Sequence, residues 1–254
     1  MAGPRASRLA DHSIHVTGVP SLTLRNMANP QGVEDVIARE QKALGAETRI
    51  AGCPPYVAAN DLNEVLRTPR IFRAKHPATM RALPGAKGEA FIVACPSLGS
   101  SALWVGTENK NYRQDYLTFL NVEHGLKLTA IPRPFDVDHL YNQARGAIYK
   151  LRYLRTALVA HAVNRSHGAG PEKDVTINEE MRVRRSGLKQ MDEIACMKYF
   201  GFLPPLRSDP RDEEIEAYAT FAASKLSLDA DEVRNSVRYL RQKASTPWAR
   251  RANG

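Results

Sequence analysis

The chain predicts a mixed α+β fold, and three features of the sequence carry that expectation. Two short β-type runs, "EAFIVACP" and "SALWVGTE", are joined by "SLGS" as a strand–turn–strand unit. Apolar residues at helical spacing lie on both sides of that unit, at 30–45 and in the last forty or so residues. Between them, "PFDVDHLY" and "YLRTALVAHAVN" (153–164) supply further extended segments. With 254 residues, 43% of them hydrophobic, the chain is long enough to bury a sizeable core.

In chain order, residues 1–32 are rich in Gly, Pro, Ser and Asn and read as a loosely packed arm. "PQGVEDVIAREQKALG" (30–45) places Val33, Val36, Ile37 and Leu44 on one helical face, with Gly45 as the expected C-terminal stop. "NDLNEVLRTPRIFRAKHPATMRAL" (60–83) reads as helical pieces broken by Pro69 and Pro77. The strand–turn–strand unit follows, then a helical or mixed segment at 111–125 that ends at Gly125. Pro132 and Pro134 cannot donate ladder hydrogen bonds, which makes the next extended segment an edge or bent strand. "YLRTALVAHAVN" is a strand in this reading and "RSHGAGPEKD" a loop. Residues 177–201 form a helix or a pair broken at Ser186-Gly187. A Pro-rich linker, "FLPPLRSDPRDE", precedes a C-terminal helical hairpin in which Asp229 and Glu232 fit a capping box. Three parts follow: an arm and helical segment (1–83), a core (84–201) and the helical hairpin (202–254).

Composition narrows the function. Thirty-six Lys and Arg against 27 Asp and Glu give a formal charge of +9, which favours polyanionic partners, above all phosphate backbones. The three cysteines, Cys53, Cys95 and Cys196, are too few and too scattered for a disulfide framework or a paired zinc clamp. No apolar run approaches the length of a membrane span, and the N-terminus lacks the apolar stretch of a secretory signal. A cytoplasmic protein is expected, or one delivered into a target cell by another route.

The stretch that bears chemistry is Asp-Val-Asp-His at 136–139. Phosphodiester hydrolysis needs a base near working pH, which histidine supplies, and a cation to stabilise phosphate charge. Aspartate and an asparagine carbonyl are hard oxygen ligands suited to Mg²⁺. Adjacent strand residues point to opposite faces, so Asp138 and His139 share a site only where the strand bends or ends. Asn164, at the end of the next β-type run, is the expected second ligand. The ordinary alternatives are a turn or cap for Asp136 and Asp138 and a buried, backbone-bonded histidine for His139.

"DVDH" followed by "NR" and a glycine resembles the ββα-metal core of HNH (His-Me finger) nucleases, most locally the HNH domain of RNA-guided CRISPR effectors. The likeness covers roughly residues 126–185. It implies a ββα-metal (HNH-like) core with flanking helices, His139 as general base, and Asp138 and Asn164 as ligands of one Mg²⁺, with Mn²⁺ as a substitute. The chain lacks a counterpart of the family's middle asparagine and has a longer loop after Asn164, which moves the family's lysine to Lys173. Beside the motif, Arg165 suits a scissile phosphate. Lys173, Arg182, Arg184 and Arg185 suit a nucleic-acid backbone, with a solvated helix face as the plain account. His161 and His167 bracket Asn164 and read first as loop histidines. Arg234, Arg238 and Arg241 line one side of the last helix, a form that fits a DNA groove or a protein contact.

The function expected is therefore a metal-dependent DNA endonuclease. Its rival is a non-catalytic nucleic-acid-binding or structural protein with an HNH-like hairpin. Asp-Val-Asp as the metal motif of a nucleotide-sugar transferase is a third reading, without the nucleotide-binding α/β half it needs. DNA is the expected partner, joined by an immunity protein if the chain is a toxin.

Overall fold

A computed structural model of the chain describes residues 32–51, 54–66, 78–168, 187–201, 211–226, 229–235 and 238. It is a mixed α+β fold built on a curled antiparallel sheet. The strands are β1 (Tyr56–Ala59), β2 (Thr79–Ala82), β3 (Ala90–Cys95), β4 (Ser100–Gly106), β5 (Phe135–His139), β6 (Tyr153–Ala160) and β7 (Leu188–Gln190). The helices are α1 (Val33–Ala51), α2 (Leu62–Leu66), α3 (Tyr112–His124), α4 (Gln143–Ile148), α5 (His161–Gly168), α6 (Glu193–Tyr199) and α7 (Asp212–Leu226).

The order across the sheet is β2-β3-β4-β6-β1-β7, with β5 also paired to β6. Strand β6 organises the sheet. One side of it pairs with β4 over residues 153–156. Its other side is shared, with β1 along Tyr153 and Leu154 and with β5 along residues 156–160. Seven of its eight residues are buried, as a strand covered on both faces requires.

Local chemistry accounts for the best-defined elements. β3 and β4 pair from Ala90↔Val105 to Cys95↔Ser100, and the chain turns between them through a 3-10 turn, Pro96–Leu98. Gly99 closes that turn at φ 62, a conformation that favours a residue without a Cβ. Gly125 ends α3 at φ 69, and its N–H bonds the carbonyl of Leu120. Among the described residues strand β5 pairs with β6 alone, in keeping with its prolines: the N–H of Phe135 turns back to the Pro132 carbonyl at 3.0 Å.

One apolar cluster joins Val33 and Val36 of α1 to Ile92, Leu103, Tyr116, Phe119, Val137 and Leu158. A second surrounds Leu154 and Ala157 with Tyr141, Met191, Cys196 and Tyr199. A third covers the other side of Val93, Ala102 and Trp104. Each fully buried leucine here contributes about 1.5–3 kcal/mol through removal from water.

Several expectations are corrected. Helix α1 runs through Gly45, because Leu44 and Thr48 are fully buried and their packing outweighs a cost of about 1 kcal/mol for glycine. Of the segment 60–83, the described residues form one short helix, α2, and a strand, β2, while Pro69 and Pro77 lie outside the described residues. Since β1 and β2 pair with strands of the following segment, the boundary at 83/84 falls inside one sheet. Residues 161–164, expected to extend a strand, open α5. Within 177–201, the described part is β7 followed by α6, whose cap Asp192 accepts from the Ala195 N–H at 2.8 Å. In the C-terminal hairpin, α7 packs on α1, and the Asp229 carboxylate caps the next turn through the N–H groups of Asp231 and Glu232. Arg234, a candidate for a DNA groove, is instead held by Glu216 and Asp231. No helix among the described residues is long and apolar enough to cross a membrane.

Candidate functional site

The Asp-Val-Asp-His stretch is β5 itself. Its register with β6 pairs Asp136 with Val159, Val137 with Leu158, Asp138 with Ala157 and His139 with Thr156. Side chains alternate along the strand, so Val137 and His139 share one face while Asp136 and Asp138 share the other. Contacts follow that division. Val137 lies in the cluster that holds Tyr112 and Tyr116, and the His139 ring rests on Tyr112 of α3, 4.3 Å between centroids.

On the opposite face Asp136 meets α5. The strand β6 ends at Ala160, the helix begins at His161, and the His161 N–H bonds the Pro134 carbonyl at 2.8 Å. His161 and Asn164 stand three residues apart, hence on one helical face. Both reach the Asp136 carboxylate: His161 Nδ1 lies 2.9 Å and 3.0 Å from its two oxygens, and Asn164 Nδ2 donates at 3.1 Å. The group is open to solvent, with His161 41% and Asp136 29% exposed at the side chain. Asp138 points toward α6 and is ion-paired with Lys198, a buried lysine.

The electrostatics separate the two faces. Burial alone would raise the Asp136 pKa. The hydrogen bonds of His161 and Asn164 and the positive charges of His161 and Arg113 outweigh it, and hold the carboxyl below the usual range. His139 is 6% exposed, and burial pushes it down to about 4. The Asp138 carboxylate opposes that shift, while Arg113 and Lys198 add to it. His139 is therefore neutral at pH 7, and its Nε2 is buried without a hydrogen-bond partner. Tyr112 is raised, first by burial, with Arg113 acting against it and Asp138 and Asp136 reinforcing it. The Arg113 guanidinium covers the outer side of the Tyr112 ring at 4.5 Å.

The three residues expected around one cation are thus not gathered as a set. Asn164 reaches Asp136, two residues before the expected Asp138, because the helix starts at His161 and its first turn lies over the start of β5. Asp138 is occupied by Lys198, and His139 faces away from both. Arg165 is exposed on α5. Lys173, Arg182, Arg184 and Arg185 lie outside the described residues. Sequence reasoning names Asp136 as a turn or cap and His161 as a loop histidine, and passes over Lys198. The signal for Asp136 was its parity with Asp138, which puts the two carboxylates on one face.

The donor set for Mg²⁺ can be tested against these positions. No group of three His, Cys, Asp or Glu among the described residues is placed to hold a metal. Mg²⁺ needs fewer protein ligands than that and keeps several waters. The Asp136 carboxylate is a hard donor that fits it, and the half-exposed position leaves room for the waters. Asn164, by contrast, presents Nδ2–H to that carboxylate and would supply its carbonyl oxygen only with the amide turned over. The Asp138–Asn164 pair does not fit, since Lys198 already neutralises Asp138. Comparison with known protein families, curated proteins and solved structures gives no match to this chain.

Proposed function

We propose that β5, β6 and α5 form a metal-assisted phosphodiesterase site of the ββα-metal kind, and that the protein is a DNA endonuclease. The observation that carries this reading is the convergence of Asp136, His161 and Asn164 where the β5–β6 pair runs straight into α5. Strand, strand and helix follow the order that the HNH-like motif implies, with the carboxylate moved from Asp138 to Asp136. Net charge of +9 supports a polyanionic substrate.

In this reading Asp136 would hold Mg²⁺ or Mn²⁺, joined by Asn164 once its amide turns to face the ion with Oδ1 in place of the Nδ2–H that now bonds Asp136. When bound, the cation would stabilise charge on the phosphate and acidify a water. The protein's own groups do the rest. Asp136 accepts the Nδ1–H of His161, which fixes the tautomer and leaves Nε2 as a proton acceptor on the exposed side. That geometry favours His161 over His139 as the base, since His139 lies under Tyr112 on the other face. Arg113 and Arg165 are exposed cations near the carboxylate and on α5, suited to phosphate oxygens.

Nicking of supercoiled plasmid with Mg²⁺ or Mn²⁺ is the test, run on the native protein and on His161→Ala, Asp136→Asn, Asn164→Ala and His139→Phe. Loss of a general base lowers the rate about 10²–10⁴-fold. The first three variants should fall in that way and His139→Phe should not. A second reading, non-catalytic nucleic-acid binding, is favoured by the internal use of Asp138 and His139. Intact plasmid with every divalent cation tried, together with salt-sensitive binding that Asp136→Asn leaves unchanged, would establish it and remove the endonuclease.

A further inference from the structure

A cavity of about 590 Å³ opens at the N-terminal end of α3, lined by residues of the β4–α3 loop, of the segment before β3 and of the end of α4. Its charged lining is lopsided. Lys87, Lys110, Lys150 and Arg152 face Glu89 and Glu108. Arg152 is paired with Glu89 at 2.6 Å, and the same Glu89 oxygen accepts the Tyr153 hydroxyl at 2.7 Å. That leaves three lysines against Glu108 alone, and none of the three makes an ion pair among the described residues. Three like charges around one concavity repel each other, and a bound anion relieves the repulsion.

The walls are built rather than loose. Asn109 is buried, and its side chain ties the loop together: Nδ2 donates to Asp115 at 2.8 Å and to the Glu89 carbonyl at 3.3 Å, and Oδ1 accepts the Asn111 N–H at 2.8 Å. A Cβ at Gly88 would collide with that Asn109 side chain, so the opposite wall approaches as closely as a glycine permits. Lys150 holds φ 55, a left-handed conformation that ordinary side chains rarely adopt. Two hydrogen bonds fix it there, from its own N–H to Ala147 and from the Leu151 N–H to Gly146. Asn111, on the cavity wall, is also the N-cap of α3 and offers its first turn no side-chain cap, so the positive end of the helix adds to the same field.

We infer that this cavity is a phosphate subsite for a nucleic-acid backbone, gripped by Lys87, Lys110 and Lys150. The inference takes its nucleic-acid substrate from the proposed function and is independent of the catalytic step. Helix α3 relates the two: Asn111 lines the cavity, and Arg113, two residues on, is an electrostatic neighbour of Asp136. Arg152 lines the cavity and Asp136 lies opposite Val159, seven residues and about 23 Å further along β6, so a backbone phosphate in the cavity would anchor the duplex a few phosphates away from the candidate site.

Binding of a labelled DNA duplex, measured by anisotropy in EDTA over a salt series, tests the inference without any cleavage. The triple variant Lys87→Gln, Lys110→Gln, Lys150→Gln should weaken binding at least about tenfold at low salt, and flatten the slope of log K against log salt by about 0.9 for each phosphate that is no longer neutralised. A second triple, Lys42→Gln, Lys127→Gln, Lys225→Gln, removes the same charge elsewhere on the surface and should weaken binding far less. The Lys→Arg version of the cavity triple should retain binding, and both cavity triples should melt with the native protein. Equal weakening by the two glutamine triples would overturn the subsite. Cavity-dependent binding of ATP or inorganic phosphate with no cavity-dependent binding of duplex would overturn the nucleic-acid assignment. Because EDTA removes divalent metal, failure of plasmid nicking leaves this result standing, and the reverse holds too.

Discussion

His139 gives the sharpest quantitative prediction. Its ring is buried against Tyr112, and its pKa is pushed from 6.5 down to about 4, chiefly by burial. Between those two values the unfolded chain binds a proton that the folded chain refuses, so stability is lost as pH falls. The contribution is fully present above the unfolded pKa of 6.5 and shrinks toward the folded value. A displacement of that size is worth about 3 kcal/mol in total, with about 2 kcal/mol already lost near pH 5. His139→Phe keeps an aromatic ring beside Tyr112 and removes the titration. Urea unfolding of both proteins from about pH 7.5 to about pH 4 should show the variant gaining on the native chain by that amount. An NMR titration of the imidazole should place its midpoint well below the ordinary histidine range. A stability difference that stays flat with pH, or an imidazole titrating near its ordinary value, refutes the buried, neutral histidine and with it the division of β5 into two faces.

Glu40 works in the opposite direction. Burial between Tyr116 and Tyr199 raises it from 4.5 to about 7, against the pull of Arg155 and the two hydroxyls. The folded state then holds its proton more tightly than the unfolded chain, so stability rises as pH falls from about 7 to 4.5, by about 3 kcal/mol. Glu40→Gln should abolish that gain and leave a protein more sensitive to acid than the native one, read by the same urea series. At the other polar position, Asp138→Ala removes the carboxylate facing the buried Lys198 and should cost about 3–5 kcal/mol in urea unfolding. Asp138→Leu combined with Lys198→Met should recover most of that loss, and a double variant as unstable as the single one argues against the pair.

The sequence disclosed the elements whose signals are local. The β3–β4 hairpin shows in two short β-type runs on either side of Gly99, the end of α3 in its glycine stop, and the edge position of β5 in Pro132 and Pro134. Strands β1 and β7 have four and three residues and pair with strands far along the chain, and β2, though it pairs with the next strand, is four mostly exposed residues without an apolar alternation, so nothing local marks them. The site itself turned on one boundary. "ALVAHAVN" carries a continuous apolar, β-branched texture, and α5 has no Ser, Thr, Asp or Asn before His161 to announce it. Read as a strand, the segment sends His161 and Asn164 to different faces. As a helix it brings them together, and the carboxylate they meet is Asp136.

The placement of these polar groups also bears on why they are there. A buried ion pair such as Asp138–Lys198 adds little net stability, because desolvation of both ions absorbs most of their attraction. The same holds for a buried imidazole with an unpaired nitrogen, and for a carboxyl driven to about 7 inside the core. Glu40 at least joins α1, α3 and α6 through Tyr116 and Tyr199 and lies in the field of Arg155, which is itself held by Glu47, so it serves the architecture. Asp138 ties β5 to α6 through Lys198, and His139 packs β5 against Tyr112 of α3. They occupy the last two positions of a strand that pairs on one side only, next to the exposed Asp136–His161–Asn164 group. Both therefore have a structural use, whereas the Asp136–His161–Asn164 group is open to solvent and packs no core. On one short strand the buried, architectural pair and the exposed carboxylate stand side by side, and it is the exposed group, with polar partners and solvent access, on which the endonuclease proposal rests.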